Sequence, residues 1–508
     1  MRKKCFLLTL VAVMMAATLA GCSKEDDSKQ DYNPLIDDPK PEQPTTPSEP
    51  NTQNSYNELY RPQIHFTPAK NWMNDPNGMV YVDGTYHLFY QFNPQGNDWG
   101  NMSWGHATST DLVHWTEQTV ALTRDELGDI FSGSAVIDKD NTTGFGANAM
   151  VALYTSASDV QQQSIAYSTD GGKNFTRYTG NPVIKNNDDN LRDPKVFWHE
   201  ASKQWIMALA KGWKMGVEFY SSPDLKTWTH QSTFFMELAG RPSIQWECPD
   251  LIQFGNKWVL LVSVNPGGPV LGSGTMYFVG NFDGKTFTAD ALNYPLWLDY
   301  GMDNYAGVTW SNTGDRKVMI GWMNNWQYAG SVPCSPWRSA MTLPRELKLI
   351  EYDGKPLLAN TVVEEIDKIA GNWQSAGTSL DVKDAYQLRI TLNLDKSSTI
   401  TLSNASDEKF VVDINASART MTAHRTSATG QSIFNGTFSV PSIQAPLNVS
   451  GTSVTLDLFV DQSSIEIFTQ NGSMSMTNLV FPKSIYNNLT ISGASYEAQV
   501  RQLKTIWR

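Results

Sequence analysis

The sequence predicts an all-β protein in which a five-bladed β-propeller is followed by a C-terminal β-sandwich. Two observations carry this prediction. A short turn motif recurs at nearly equal intervals within residues 59–360, and the spacing of apolar residues changes after that segment. At 508 residues the chain also exceeds what one hydrophobic core usually organises, so two folded domains are expected.

The turn motif is visible in four segments, each with an aspartate followed by a polar loop and an aromatic residue. The segments read STDLVHWT, STDGGKNFT, SSPDLKTWT and NFDGKTFT, and their aspartates are Asp111, Asp170, Asp224 and Asp283. The intervals between these aspartates are 59, 54 and 59 residues. Repeats of this length, built from short strands and turns, are typical of propeller blades. A last group of strands near residues 294–326 supplies the fifth blade.

The spacing of apolar residues along the strands differs between the two predicted domains. Runs such as AMVALYTSAS and KWVLLVSVNP are continuous, as expected of strands that are covered on both faces. Later segments such as QLRITLNL alternate apolar and polar residues, as strands covered on one face do. The sequence therefore predicts the propeller over residues 59–360 and an antiparallel sandwich over residues 361–508.

The N-terminus predicts a membrane anchor. Three basic residues and an apolar stretch too short to span a bilayer indicate a signal peptide over residues 1–21. The stretch ends in Leu-Ala-Gly-Cys, which resembles a bacterial lipobox and makes Cys22 the predicted lipidation site. The Pro-rich residues 22–58 predict an extended tether, beginning with an acidic segment that resembles a surface-export tag. We expect an outer-membrane lipoprotein at the cell surface, with a periplasm-facing anchor as the alternative.

The amino-acid composition limits the classes of molecule that this protein is expected to bind. The formal net charge of -12 argues against nucleic acid and fits a neutral ligand such as a sugar, although it equally suits an exported protein that must stay soluble. Cys5 would leave with the signal peptide and Cys22 would carry lipid, so Cys248 and Cys334 are expected as buried free thiols, with one disulfide as the alternative. The seven histidines form no HExxH pair, and no CxxC is present, so no metal is expected.

Three carboxylates occupy one phase of the repeat. Asp75 lies 36 residues before the turn aspartate of its blade, Asp193 lies 31 before and Glu247 lies 36 before. Each should therefore lie on or just before the first strand of a blade, nearest the central channel. Acids that converge in one polar funnel are an active-site geometry.

Each acid also has a structural interpretation. Asp75, followed by Pro76 and Gly78, would cap its own turn. Asp193 would pair with Arg192 or cap another such turn, although adjacent strand residues face opposite sides and make the ion pair awkward. Together the three suit glycoside cleavage, which needs a nucleophile and a general acid. Asp75, in a polar turn, should stay ionised as the nucleophile, and Glu247, in the apolar setting expected beside Trp246 and Cys248, should be the acid. Asp193 would grip sugar hydroxyls and stabilise the transition state.

The motifs WMNDPNG, FSGS, RDP and WECPD, in this order, resemble glycoside hydrolase family 32 from about residue 60 to the C-terminus. The resemblance implies a five-bladed propeller with a sandwich, net retention of configuration, and no metal or organic cofactor. It implies that Asp75 is the nucleophile, Asp193 the transition-state stabiliser and Glu247 the acid/base. It also implies contacts to the terminal fructosyl unit from Asn74, Gln91, Trp99, Phe131, Ser132 and Arg192, and from Tyr305 and Trp322 near the rim. An aromatic residue often replaces Asn304 in the family, which leaves the rim shape open.

The resemblance implies a retaining fructan β-fructosidase that is exo-acting on levan or inulin and on sucrose to some extent. A surface location instead favours an endo-levanase, which remains the alternative. A non-catalytic fructan-binding surface lipoprotein is the alternative from another class, and a fructosyltransferase would share all three acids.

Overall fold

The structure, a computed structural model, describes residues 56–186, 190–238, 244–270, 272–430 and 434–507. The predicted signal peptide, lipidation site Cys22 and all but the end of the tether lie outside the described residues. Within them the chain is almost entirely β, which confirms the predicted fold class. Its helices are 3-10 turns at Gly212–Lys214, Ala329–Ser331, Glu364–Lys368 and Ser427–Thr429. In the described ranges, none of the helices is both long and apolar enough to cross a membrane.

Five antiparallel sheets form the blades, and each runs outward from the channel in chain order. The first three blades contain β1 (Asn71–Val82), β2 (Thr85–Phe92), β3 (Ser103–Ser109) and β4 (Thr116–Glu117), then β5 (Asp129–Asp138), β6 (Ala149–Ala157), β7 (Gln161–Ser168) and β8 (Thr176–Arg177), then β9 (Leu191–His199), β10 (Gln204–Lys211), β11 (Gly216–Ser222) and β12 (Thr229–Phe235). The last two contain β13 (Gln245–Phe254), β14 (Lys257–Asn265), β15 (Gly274–Phe282), β16 (Phe287–Ala289) and β17 (Leu296–Trp297), then β18 (Tyr305–Thr309) and β19 (Val318–Met323). The chain next forms β20 (Trp337–Arg338), which belongs to the sheet of the first blade, and returns to the fifth blade with β21 (Ala340–Met341), β22 (Arg345–Tyr352) and β23 (Lys355–Val362).

The blades close into a ring through their first strands. β1, β5, β9, β13 and β18 each contact the next, and β18 contacts β1. β20 pairs in parallel with β1 at the inner edge of the first blade. A strand from late in the propeller chain therefore stabilises the first blade. The ring places the start of all five inner strands at one end of the channel.

The turn motif links the third and fourth strands of four blades. Each of its aspartates, Asp111, Asp170, Asp224 and Asp283, accepts hydrogen bonds from two backbone N–H groups two to four residues later. These are Asx turns, which explains why the same residue type recurs at the same place. At Asp111 burial would raise the pKa, but the His114 side chain and the two backbone N–H groups stabilise the ionised carboxylate and lower the pKa to about 2.

The sandwich consists of two antiparallel sheets. Its strands are β24 (Gln374–Ser375), β25 (Ala385–Asn393), β26 (Ser398–Ser403), β27 (Lys409–Asn415), β28 (Thr420–Arg425), β29 (Val440–Pro446), β30 (Ser453–Val460), β31 (Ser464–Thr469), β32 (Ser475–Leu479), β33 (Asn488–Ser492) and β34 (Tyr496–Leu503). One sheet has the order β24-β34-β25-β30-β31-β32 and the other β29-β28-β27-β26-β33. The alternating residues Leu388, Ile390 and Leu392 of β25 are buried between them.

Buried charges join the sandwich to the propeller. His65, ahead of β1, bonds Asp461 through Nδ1 at 2.7 Å and Glu466 through Nε2 at 2.9 Å. Arg345 of β22 bonds the same Glu466 and donates to Asp299 at 2.8 Å. Burial would lower the pKa of His65, but the two carboxylates outweigh it and raise the pKa to about 9. The stretch around Asp461 is therefore part of this interface.

Candidate active site

The three predicted acids lie on the inner strands of three blades, at one end of the channel. Asp75 is on β1, Asp193 on β9 and Glu247 on β13, each among the first five residues of its strand. Ser132 on β5 and Tyr305 on β18 occupy the corresponding places in the other two blades. Every blade therefore contributes a side chain to one polar cluster.

A β-bulge interrupts each inner strand at this depth, as the pairing register shows in all five blades. Asp193, Cys248 and Ala306 in these bulges adopt left-handed backbone conformations, with φ of 63°, 47° and 53°. A bulge leaves an extra residue and re-aims its side chain. The expectation that Arg192 and Asp193 face opposite sides is wrong for this reason, because both reach the same cluster.

Asp75 is held by three donors. Ser132 Oγ donates to its Oδ2 at 2.7 Å, Asn74 Nδ2 to its Oδ1 at 3.0 Å, and the Cys248 thiol lies 3.5 Å from Oδ2. Burial raises the pKa of Asp75 and the charge of Glu247 adds to the rise, whereas the three donors oppose it. The expected polar turn is instead a strand inside the channel, where three donors stabilise the ionised form of Asp75.

Hydrogen bonds from Cys248, on β13 of the fourth blade, hold the Asp193 carboxylate in place. The backbone N–H of Cys248 donates to its Oδ2 at 2.9 Å, and the Cys248 thiol lies 3.6 Å from the same oxygen. Burial raises the pKa of Asp193 to about 7, Arg192 opposes this, and the carboxylates of Glu247 and Asp75 add to it. Cys248 thus contacts both Asp75 and Asp193, and it is the residue directly after Glu247.

Glu247 has polar partners on both oxygens. Arg192 donates to Oε1 through Nε at 3.2 Å and through Nη2 at 3.1 Å. The Tyr305 hydroxyl donates to Oε2. Burial and the Glu247 charge raise the pKa of Tyr305 well above its usual value, so the phenol stays protonated. The apolar setting expected from the flanking residues is wrong, because Trp246 packs into the blade while Glu247 faces the channel.

Comparisons with known proteins agree with this geometry. The model of the glycosyl hydrolases family 32 N-terminal domain matches residues 65–360, and that of the family 32 C-terminal domain matches residues 359–507. The chain belongs to glycoside hydrolase family 32. It is 42% identical to a levanase of Bacillus subtilis over 89% of this chain and 72% of that protein. It is 38% identical to an extracellular exo-inulinase of Aspergillus awamori over 89% of this chain and 96% of that protein.

Solved structures of this family have the same architecture. The crystal structure of exo-inulinase from Aspergillus awamori matches with a TM-score of 0.83 at 36% identity, covering 89% of this chain and 100% of that one. A β-fructofuranosidase from Schwanniomyces occidentalis, complexed with fructosyl-erythritol, matches with a TM-score of 0.79 at 32% identity, covering 89% and 99%. A propeller that carries the acids, followed by a sandwich, is therefore the family 32 fold.

The remaining residues implied by the family resemblance surround the acids. Gln91 of β2 is buried and donates to the Ile130 carbonyl at 2.9 Å, which ties the first blade to the second. Trp99, on the loop between β2 and β3, is 49% exposed and packs edge-on against Phe131, with ring centroids 6.1 Å apart. Asp98 fixes this loop through an ion pair with Arg338 at 2.7 Å.

Tyr305 and Trp322 lie deeper than the rim positions that the resemblance implied. Both are fully buried, and Trp322 packs behind Tyr305 with ring centroids 6.3 Å apart. Trp322 therefore supports the pocket wall without offering surface to a ligand. Asn304 is buried as well, against Asp299 and Gly321, so the residue type at this position does not shape the rim.

Sequence reasoning missed two contributors to the cluster. Cys248 belongs to the WECPD motif, but its contact with two acids depends on the bulge. Gln161 of β7 accepts a hydrogen bond from Arg192 Nη1 at 3.1 Å, and no sequence signal marks it. Among the residues that the structure describes, no group of three or more His, Cys, Asp or Glu side chains is arranged to hold a metal ion.

Motif residues that follow the acids fasten the inner strands together. Lys195 Nζ lies 3.1 Å from Asp250 Oδ2 and donates to the Thr309 carbonyl at 2.6 Å, which joins β9, β13 and β18. Beyond this ion pair, toward the other end of the channel, lies a cavity of about 450 Å³. The acids and this cavity therefore lie on opposite sides of a buried ion pair.

Proposed function

We propose that this protein is a retaining glycoside hydrolase that removes terminal β-fructosyl units from levan or inulin and, to some extent, from sucrose. One observation carries the proposal. Carboxylates from three blades meet at the bulge residue Cys248, which contacts Asp75 and Asp193 and directly follows Glu247. The similarity to a levanase and an exo-inulinase over most of the chain supports fructans as the substrate class.

The residues suit a double displacement. Asp75 attacks the anomeric carbon while Glu247 gives a proton to the leaving oxygen, which forms a fructosyl-enzyme ester. Glu247 then takes a proton from water, the water oxygen attacks the same carbon, and the Asp75 carboxylate leaves. Arg192 and Tyr305 hold Glu247 in place between these two steps. The configuration at the anomeric carbon is inverted twice and so retained.

Asp193 and the surrounding side chains bind the sugar. Its carboxylate, fixed by the Cys248 N–H, accepts from sugar hydroxyls and stabilises positive charge that develops on the ring. The proposed further contacts to the fructosyl unit come from Asn74, Gln91, Trp99, Phe131, Ser132 and Arg192.

Product analysis tests this function. Glu247→Ala should release almost no sugar from levan or inulin, but should keep activity on an aryl β-fructofuranoside, whose leaving group needs no proton. Glu351→Ala, an exposed glutamate on β22, is the matched control. Wild-type hydrolysis of levan by Glu247→Ala would refute the assignment, and fructan binding without any product from the wild type would favour a non-catalytic binding lipoprotein.

The same chromatograms separate the mode of attack. Fructose alone from the first minutes indicates exo-action, whereas a ladder of oligosaccharides indicates the endo-levanase alternative. One relative, a levanbiose-producing levanase of Bacillus subtilis at 39% identity, keeps that alternative open. Proton NMR of the first product, before mutarotation, tests retention.

We also propose that Cys22 carries the lipid and anchors the enzyme at the outer surface of the outer membrane. The basic start, the short apolar stretch and the Leu-Ala-Gly-Cys ending support this. Radiolabelled palmitate should enter the wild type and not Cys22→Ala, which should leave the membrane fraction. Protease added to intact cells should degrade a surface-exposed enzyme and spare a periplasm-facing one.

A further inference from the structure

Exposed aromatic side chains are concentrated near the acids. Among the described residues, the large hydrophobic residues that are about half exposed or more are Leu59, Trp99, Trp213, Phe235 and Tyr496. Trp99, Trp213 and Phe235 follow or precede strand ends on the side of the propeller where the acids lie. Trp99 already belongs to the fructosyl pocket, whereas the other two have no role in the site described above.

Trp213 lies close to the Arg192–Glu247 pair. It is the middle residue of the turn Gly212–Lys214 between β10 and β11. β10 ends at Lys211, whose partner on β9 is Leu191, the residue before Arg192. The turn also contacts β13, the strand of Glu247. The Trp213 side chain is 54% exposed at this position.

The turn that carries Trp213 has a fixed geometry. The Gly212 N–H donates to the Asn190 carbonyl at 3.1 Å, and the Met215 N–H donates to the Gly212 carbonyl at 3.0 Å. A Cβ on Gly212 would lie 1.8 Å from the Asn190 side-chain oxygen, so a larger residue there would displace the Asn190 side chain. Because the backbone is fixed and a Trp side chain has two χ angles, little entropy is lost when a ligand packs against it.

Phe235 continues the aromatic surface outward. It ends β12 and pairs with Gly216, the first residue of β11, which follows the Trp213 turn. It is 56% exposed. From β9 to β12 the blade spans three strand spacings, about 14 Å. Trp213 and Phe235 thus mark a track along the end of the third blade, leading away from Arg192 and Glu247.

We propose that Trp213 and Phe235 form an aromatic subsite for the leaving-group part of a fructan chain. The inference rests on the proposed function, in which Glu247 protonates the leaving oxygen and so must lie within hydrogen-bond reach of it. The rest of the leaving group then passes over the starts of β9 and β13, where the Trp213 turn lies. Uncharged furanose rings present C–H faces that suit the indole and phenyl surfaces.

The expected magnitude follows from the exposed area. A Trp side chain has up to about 250 Å² of surface, and about half is open here. If a sugar ring covers about half of the open part, at about 25 cal/mol per Å², the gain corresponds to about a tenfold change in kcat/KM. The effect applies only to substrates long enough to reach the turn.

Chain-length dependence tests the subsite. For Trp213→Ala, the ratio of kcat/KM on levan or inulin to kcat/KM on the shortest fructoside that the wild type cleaves should fall about tenfold. Phe235→Ala should lower the ratio less, about threefold, and only for longer chains. Trp213→Phe should recover part of the loss. Tyr496→Ala, an equally exposed aromatic on the sandwich, is the control and should leave the ratio at its wild-type value.

Other outcomes would overturn the inference. Equal losses on long and short substrates would mean that the turn only positions Glu247, and no loss on either would mean that Trp213 touches no substrate. If the wild type cleaves no fructoside at all, the proposed function fails instead. Calorimetric binding of fructo-oligosaccharides of increasing length to the wild type and Trp213→Ala would then decide the subsite by itself.

Discussion

Removing the Ser132 hydroxyl should move the pH profile of the enzyme in a known direction. Ser132 Oγ donates to Asp75 Oδ2 at 2.7 Å and so favours the ionised carboxylate. Asp75 must be ionised to act as the nucleophile, so activity is lost as falling pH protonates it. Without the hydroxyl, burial is opposed by fewer donors and the pKa of Asp75 rises further. The acid limb of Ser132→Ala should therefore lie at higher pH than that of the wild type.

The size of the shift can be bounded. A hydrogen bond to a charged group contributes about 1.5–3 kcal/mol, which corresponds to about 1–2 pKa units. Asp193 titrates in the same cluster as Asp75, so the two carboxyls share their protons. The acid limb of the pH profile therefore reflects the titration of both groups. Sharing reduces the visible shift, and we expect at least about half a unit.

The assay is kcat/KM against pH, because this parameter reports the groups of the free enzyme. Ser156→Ala is the control, since Ser156 and Ser164 form a buried hydroxyl pair in the same blade at 2.8 Å with no bond to an acid. Its acid limb should coincide with that of the wild type. An acid limb of Ser132→Ala that stays in place or moves to lower pH would show that Ser132 does not favour the ionised nucleophile.

Two stability predictions follow from the buried charges. His65 has a folded-state pKa near 9 against about 6.5 unfolded, so its contribution, up to about 3 kcal/mol, is complete below pH 6.5 and lost as pH rises through 9. Urea titrations at several pH values should show this decline, and a His65→Gln variant that keeps the full decline would contradict it. Arg425→Ala leaves Asp303 buried without its ion-pair partner at 2.7 Å and should lower the unfolding free energy by about 3–5 kcal/mol. The partly exposed ion pair of Arg389 and Asp457 is the control. Arg389→Ala should lower the unfolding free energy by less than about 1 kcal/mol. Similar losses in the two variants would contradict the role of burial.

The sequence allowed the acids to be placed because the repeat fixes their phase. Each blade turn is capped by an aspartate, so counting back from it locates the inner strand and the end of the channel at which Asp75, Asp193 and Glu247 lie. Strand length and the residue types of a turn are local properties, so both can be predicted from a single sequence. The propeller and the sandwich were predictable for the same reason.

Contacts through space were not predictable in this way. The bulges at Asp193 and Cys248 change which side chains face the channel. The alternation of side chains along a regular strand does not predict where such bulges occur. The link between His65 and Glu466 spans 401 residues, and neither carries a signal for the other. The exposure of Trp213 was not predictable either, because it depends on which surfaces the fold leaves uncovered.

The bulges suggest how the fold keeps its acids in place. Left-handed backbone at a residue other than glycine costs about 1–2 kcal/mol, and two of these conformations occur at Asp193 and Cys248. The Cys248 N–H to Asp193 hydrogen bond joins the two bulges and offsets part of this cost. It thereby holds the Asp193 carboxylate in one position relative to β13. The ion pair of Lys195 and Asp250, just below, holds the same two strands at that separation. The site is therefore rigid before substrate arrives, which is what electrostatic stabilisation of a transition state requires.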